Sequence, residues 1–345
     1  MAVTGLTAGP IPLVSIIIVS HNSREYIERC LDSVQKILYP RFEVIVVDNA
    51  STDGSAEVIR RKYSFVKLVC LPENIGFAAA NNLGFTMSKG DFIFLLNPDT
   101  EVDPMCLRWL VDAMLRDQEI GVCGAKILLL DRRNIIQHAG GKYHPIGISI
   151  DRGVLEVDKG QYDKVEEVTF VCGAAMLIRR DLVFRIGLFD PTFFLYHEDV
   201  DFCIRSLLYG YKVIYVPNAI VYHKSGHLTD LASRKNKPIV VFHKHKNTFA
   251  VLLKNFRVLM IVIYFPLSLC YRIFWLCKYL KNRDLASALS LTKSVLWITQ
   301  NLNRIISSRK KLSNKKEYFV LRKHVASSRE VLYTYKKYKK YQKLL

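Results

Sequence analysis

Apolar runs of five or six residues return at short intervals through the first hundred positions, and each is closed by a polar cluster. Val14–Val19 predicts a strand, and Ser23 opens a helix running to about Ile37. Phe42–Val47 predicts a second strand, Ser55–Lys62 a short helix and Val66–Leu71 a third strand. Gly76–Met87 reads as a helix and Phe92–Leu96 as the fourth strand. Continuous apolar strands alternating with helices predict a parallel sheet covered on both faces. In such sheets ligands bind outside the carboxyl ends of the strands.

The polar clusters fall at those ends: Ser20-His21-Asn22, Asp48-Asn49, Glu73-Asn74 and Asn97-Pro98-Asp99. One such cluster is ordinary loop polarity, but four in succession define one rim of a sheet, wide enough for a nucleotide. Past residue 120 the pattern is mixed. Irregular or hairpin structure is expected over Gly140–Ile150, a strand over Phe170–Ile178 and a helix over Asp199–Tyr209. Lys212–Val216 is expected as a strand leading to Val221-Tyr222-His223. No internal repeat is evident.

Charge divides the 345-residue chain. Residues 1–230 hold 24 Lys and Arg against 28 Asp and Glu; residues 231–345 hold 26 against 3. The net +19 therefore belongs to the C-terminal third, which is suited to an anionic surface. Acidic lipid headgroups fit better than nucleic acid there, because apolar and aromatic residues (Phe256, Tyr264, Phe265, Phe274, Trp275) are flanked by Arg257, Arg272, Lys278 and Lys281. The uncharged run 258–271 is shorter than the roughly 20 residues a spanning helix needs, and Pro266 interrupts it. It is expected to lie on a membrane or on the protein body rather than to cross. A helical stretch follows over Leu285–Ile306, then a Lys/Tyr tail with Tyr335, Tyr338 and Tyr341 at threefold spacing. The division expected is an extension over 1–12, a catalytic domain over 13–230 and a basic helical membrane-associating region over 231–345. Eight cysteines without a C-x-x-C pair fit a reducing compartment. The first twelve residues lack a basic, apolar signal segment.

The chemistry offered is acidic. No glycine-rich phosphate loop follows the first strand, so a bound diphosphate would need another counter-charge, such as a divalent metal on Asp99. Asp99 could equally cap a helix before Pro104. Asp48 could accept from a pyrimidine N–H, or serve an Asx-turn. Glu198, Asp199 and Asp201 could simply favour a helix N-terminus, at about 0.3–1 kcal/mol each.

Six ordered motifs carry a resemblance. They are Val14-Ser-Ile-Ile-Ile-Val-Ser-His-Asn22, Val46-Val-Asp-Asn-Ala-Ser-Thr-Asp-Gly-Ser55, Asn74-Ile-Gly-Phe77, Leu95-Leu-Asn-Pro-Asp99, Gly173-Ala-Ala-Met176 and His197-Glu-Asp-Val-Asp201. Together they resemble the inverting family 2 glycosyltransferases of GT-A fold, an α/β fold with a mostly parallel Rossmann-like sheet, in the rhamnosyltransferase-like branch. The resemblance implies Asp199 as general base, with Asp99 and His223 on a divalent metal (Mg or Mn). It places the donor on Ser20, Asn22, Asp48, Asn49, Asn74, Gly76, Phe77 and Asn97, with Asn97 standing where the family's first metal-motif acid would be. It places the acceptor and donor sugar on Gly173, Ala174, His197 and Glu198. The implied reactants are a dTDP- or UDP-sugar and a glycan or polyprenyl-diphosphate-linked acceptor, at the cytoplasmic face of the plasma membrane. A nucleotidyltransferase and a non-catalytic membrane- or nucleic-acid-binding protein with a degenerate transferase body are the alternatives.

Overall fold

A computed structural model of the chain describes residues 10–224, 237–309, 326–327 and 329–334. The Tyr335, Tyr338 and Tyr341 spacing and most of the N-terminal extension lie outside the described residues.

Strand β1 (Val14–Ser20) is buried at all seven positions because it is central, paired in parallel with β2 (Phe42–Asp48) and β4 (Phe92–Leu96). β3 (Val66–Cys70) adds a parallel edge to β2. Helices α1 (Ile27–Val34), α2 (Ser55–Lys62) and α3 (Phe77–Met87) make the crossovers. The first is shorter than expected. Residues 23–26 form a turn closed by the Tyr26 amide on the Ser23 carbonyl (2.9 Å), and regular helix starts only afterwards. Gly84 lets α3 press on β1, since a Cβ there would lie 2.5 Å from Ile17 Cγ2.

Beyond β4 the chain adds β5 (Thr100–Val102), α4 (Cys106–Arg116), β6 (Ile120–Leu129) and β7 (Arg132–His138). The expected hairpin is β8 (Gly141–His144) with β9 (Ile148–Asp151). A short β10 (Glu166–Glu167) precedes β11 (Ala175–Arg179). The strand expected from Phe170 begins only at Ala175, because a turn closed by the Ala175 amide on the Cys172 carbonyl (3.2 Å) comes first. α5 (Arg180–Ile186), a 3-10 turn at Pro191–Phe193, α6 (Glu198–Leu208) and β12 (Lys212–His223) follow. The strand order is β10-β12-β6-β11-β4-β1-β2-β3, with β5 on β12 and β7 on β6. β11 is antiparallel to both neighbours, whereas β12 runs parallel to β6.

Each face of this sheet has its own core. Along β1, Ile17 enters one cluster while Ile16 and Ile18 enter the other, the twofold alternation of a strand. Helix α7 (Pro238–Asn255) belongs to the first of these cores: Phe249, Ala250, Val251, Leu252 and Leu253 pack there with Phe193, Phe202 and Val200.

Helix α8 (Val258–Lys281) differs from its sequence reading. It continues through Pro266 for 24 residues, and is the one helix among the described residues long and apolar enough, by length and composition, to cross a membrane. Its inner face is docked. Ser268 Oγ donates to the Ile146 carbonyl (2.8 Å), and buried Arg272 bonds Ser268 and Thr248 while covering the Phe249 ring at 3.6 Å. Its outer face leaves Leu259, Val262, Ile263, Ile273 and Phe274 about half exposed or more. The stretch expected as one helix over 285–306 is two, α9 (Leu285–Gln300) and α10 (Leu302–Arg309), broken at Asn301.

Candidate active site

The carboxyl ends of β1, β2 and β4 form the expected rim. Ser20 and Asp48 sit in register on adjacent strands, and both are buried. Asp48 Oδ2 accepts from the Ser51 amide (3.0 Å), but Asp48 Oδ1 and Ser20 Oγ have no partner. A buried carboxylate oxygen without a donor costs about 1–3 kcal/mol, which a ligand N–H placed there would relieve. The neighbouring amides are used inside the protein. Asn49 Nδ2 donates to Asn74 Oδ1 (2.9 Å), and Asn49 Oδ1 accepts from the Ile75 amide (3.0 Å). Asn22, at φ 51°, accepts from the Thr52 amide (2.8 Å). These three asparagines therefore shape the loops around Asp48. Asp53 and Gly54 form a turn, with Asp53 Oδ1 accepting from the Ser55 amide (3.0 Å).

Gly76 closes this side. It holds φ +85°, and a Cβ would meet Phe194 Cδ2 at 2.4 Å. The Phe194 ring thus lies directly on the loop that starts α3, next to Phe77, which stacks on Phe189 (6.3 Å).

A second corner joins β4 to β12. Asp99 Oδ1 lies 3.1 Å from His223 Nε2, and Asn97 Nδ2 lies 3.3 Å from the same nitrogen. His223 Nδ1 faces Gln137 Oε1 at 3.0 Å. Burial opposes ionisation of Asp99, yet His223 beside it holds the carboxyl below its usual range. Asn97 Oδ1 is buried and unpartnered. A carboxylate oxygen, an imidazole nitrogen and an unused amide oxygen are chemically fit to hold a divalent cation. In the turn around Pro104 it is Asp103, not Asp99, whose carboxylate accepts a backbone amide, that of Met105 (2.9 Å), and the N-cap of α4 is Met105.

The third corner is the start of α6. Asp199 Oδ2 accepts from the Gly173 amide (2.9 Å) and Oδ1 from the Val200 amide (2.7 Å). Burial raises the Asp199 pKa, and those two amides oppose the rise. Glu198 is also pushed up, first by burial and then by the Asp199 charge, and its Oε2 has no partner. With two donors aimed at Asp199, the ionised group of this pair is Asp199 and the proton stays on Glu198. Asp201 is different in kind. It is fully buried, bonded to Arg205 (2.8 Å), Lys254 (3.3 Å) and Asn255 (2.8 Å), and its pKa is lowered because these partners outweigh burial. His197, at φ 66°, forms the N-cap of α6.

The corners are joined by backbone. The Asn97 amide donates to the Ala174 carbonyl (3.1 Å), so a single hydrogen bond links the strand end carrying Asp99 to the Gly173-Ala174 floor under Asp199. Sequence reasoning missed β7. Its adjacent residues point to opposite faces, Gln137 to His223 and His138 to Asp151 (2.9 Å), and His138 and Asp151 both lie in the electrostatic surroundings of Asp199. Asp151 also lines a cavity of about 560 Å³ bounded by Lys142, Arg152, Thr169, Glu330 and Tyr333. No signal in the sequence marks these residues, because only the folding of β7 and β9 brings His138 and Asp151 towards Asp199.

Comparison with known proteins bears on the family and the fold. Residues 15–187 match the glycosyl transferase family 2 profile. N-acetylglucosaminyl-diphospho-decaprenol L-rhamnosyltransferase of Mycobacterium tuberculosis is 26% identical over 267 residues, covering 69% of this chain and 83% of its own. The probable glycosyltransferase YdaM of Bacillus subtilis is 26% identical over 62% of this chain, which spans about half (51%) of that relative's length. Among solved structures, the Pyrobaculum calidifontis mannosyltransferase PcManGT, in complex with GDP-Man and Mn2+, superposes with a TM-score of 0.54 at 18% identity, over 87% of this chain and 85% of its own. GalNAc-T7 with UDP, GalNAc and Mn2+ gives 0.56 at 19% identity, over 71% and 48%. At those identities the structural likeness establishes the fold.

Proposed function

We propose that this chain, a rhamnosyltransferase-like glycosyltransferase that belongs to glycosyl transferase family 2, transfers a sugar from a pyrimidine nucleoside diphosphate to a lipid-linked glycan, with inversion at the anomeric carbon. The observation that carries the reading is the pair of acidic corners, Asp99–His223 and Asp199–Gly173, tied together by the Asn97–Ala174 hydrogen bond. Asp48, with one buried oxygen free, accepts from the ring N–H of uracil or thymine. Asp199 takes the proton of the acceptor hydroxyl as that oxygen bonds the anomeric carbon. The bond from that carbon to the diphosphate breaks, its electron pair leaving on the phosphate oxygen. One displacement needs one base and no second carboxylate nucleophile.

Asp99, His223 and Asn97 Oδ1 would hold a divalent cation, Mg or Mn, which supplies charge neutralisation for the departing diphosphate. No group of three His, Cys, Asp or Glu residues suited to a metal occurs among the described residues, so the remaining positions would fall to phosphate oxygens and water. Rhamnose is favoured as the sugar, and a polyprenyl diphosphate as the acceptor carrier, by the activity named for the mycobacterial relative. The acceptor enters from the Asp151 side, where the cavity meets the His138–Asp151 pair.

Thermal unfolding with UDP, dTDP, GDP or NAD, each with and without Mn2+, tests the donor. Ligand at about 100 times its dissociation constant adds about 2.7 kcal/mol. Stabilisation by UDP or dTDP that requires Mn2+ is expected. A response to NAD alone, or to none of the four, refutes the donor assignment.

The exposed face of α8 is proposed to lie in the plane of an acidic membrane, at the cytoplasmic surface where lipid-linked acceptors are held. Its opposite face is fastened to the body through Ser268 and Arg272, which sets it alongside the protein. Burying an exposed large apolar side chain is worth about 1.5–3 kcal/mol. Ile263→Asp with Phe274→Asp in the full chain should therefore cut binding to acidic phospholipid vesicles by about tenfold or more; undiminished binding sinks the in-plane placement.

A further inference from the structure

Phe194, Tyr196 and His197 hold φ of 60°, 69° and 66°. Side chains with a Cβ adopt this left-handed region only when their surroundings enforce it. The segment spans the two halves of the site. Its first residue faces the donor loop, where the Phe194 ring covers Gly76 and its carbonyl accepts from the Ala78 amide (3.3 Å). Its last residue caps α6, from which Glu198 and Asp199 emerge.

The enforcement comes from α7. Asn247 is 1% exposed, and its Nδ2 lies 2.9, 2.8 and 2.6 Å from the carbonyl oxygens of Phe193, Leu195 and Tyr196. One turn earlier His243 stacks on the Phe194 ring (5.0 Å, 16°), and Lys246 donates to the Thr192 carbonyl. Three carbonyls converge on one nitrogen and share its two N–H bonds; a carboxylate at 247 would repel them. Asn247 Oδ1 is buried without a partner. A leucine of nearly the same shape would pack there without that loss. The amide is therefore present for its donors.

We propose that Asn247 is a positioning residue for transfer. By gathering the carbonyls of Phe193, Leu195 and Tyr196 it fixes the left-handed segment, and with it the direction in which Asp199 leaves α6 relative to the donor loop at Gly76. The proposal rests on the reading of Asp199 as the base. A displacement of about 1 Å at a reacting group can cost about a hundredfold in rate.

The test uses the full chain carrying Asn247→Leu, which keeps the branch and removes the donors, and Asn247→Ser, which keeps one donor. Expected for Asn247→Leu is a loss of kcat of about a hundredfold with donor KM within about threefold, a split that marks an interaction needed only in the transition state. Amides of 193–201 should exchange with deuterium faster than in the wild type while those of β1, β2 and β4 do not change. Asn247→Ser should recover part of kcat, and it decides by the same split if Asn247→Leu does not fold. Wild-type kcat and wild-type exchange in the variants overturn the proposal. So does faster exchange throughout the sheet with kcat and KM failing together, which is a general structural role. If the wild-type chain transfers no sugar, the reading of the reaction fails separately, and the exchange of 193–201 still confirms or refutes the clamp.

Discussion

Asp199→Asn is expected to lower kcat by about 10²–10⁴-fold, the range that a positioned general base contributes. Donor affinity should stay within about threefold, under ~0.7 kcal/mol, because the contacts proposed for the donor, Asp48 and the Asp99 corner, are left unchanged. The fold should tolerate the change. An asparagine keeps one of the two amide hydrogen bonds from Gly173 and Val200 and loses the other, a cost of about 0.5–1.5 kcal/mol. Against that cost, it removes a charge that burial penalises. The sign follows from the direction of the shift. Asp199 has a folded pKa above its unfolded value, so its contribution to stability is present below the unfolded pKa and is lost as pH rises through the folded one. At neutral pH the ionised group is therefore a burden on folding. For the same reason the acid limb of the wild-type rate profile should lie above the usual Asp value of about 3.9. Steady-state kinetics against pH, beside thermal unfolding of both proteins, checks these expectations together. Wild-type turnover in Asp199→Asn would remove Asp199 as the base and favour a degenerate transferase body.

The half of the fold that reads clearly from the sequence is the half built by local rules. Strands β1, β2 and β4 are buried along most of their length, so residues 16–19, 44–47 and 92–96 are unbroken runs of Val, Ile, Leu and Phe, and a parallel sheet follows from them. The rim residues Ser20, Asp48, Asn97 and Asp99 were legible for the same reason, since each ends one of those runs or lies just beyond it. What was not legible depends on long-range pairing. β6 and β7 are joined by a tight turn, and their pairing shifts register twice, so their patterns do not announce strands. Gln137 and His138 consequently have no visible role until β7 is folded against β6. The C-terminal region shows the opposite error. Its basic composition hides α7, whose Phe249 to Leu253 segment is as buried as any strand. Asn247 and Lys254 were legible only as part of a charged, polar stretch. In α8, Pro266 falls within a run whose packing on one side outweighs the loss of one backbone hydrogen bond, so the helix passes a residue that local rules would make its end.

The acidic triplet at the start of α6 also shows how one local pattern conceals three chemistries, and Asp201 supplies the largest expected effect on stability. Its carboxylate lies between Arg205, Lys254 and Asn255 with almost no exposure to solvent. Lys254 also reaches Asp190 (2.8 Å), so this network fastens α7 to α6 and to the turn before the left-handed segment. Removing one partner of a buried ion pair leaves an uncompensated charge and costs about 3–5 kcal/mol. Asp201→Asn should therefore destabilise the chain by about that amount at neutral pH, read as a lowered urea midpoint. Its dependence on pH runs opposite to that of Asp199. Asp201 has a folded pKa below its unfolded value, so its stabilisation is complete above the unfolded pKa, about 3.9, and is lost as pH falls through the folded one. Wild type and variant should accordingly differ most near neutrality and approach each other in strong acid. A loss below about 1 kcal/mol, the size of an exposed pair, would mean that Asp190 alone satisfies Lys254 and that the network is not what holds α7 to α6.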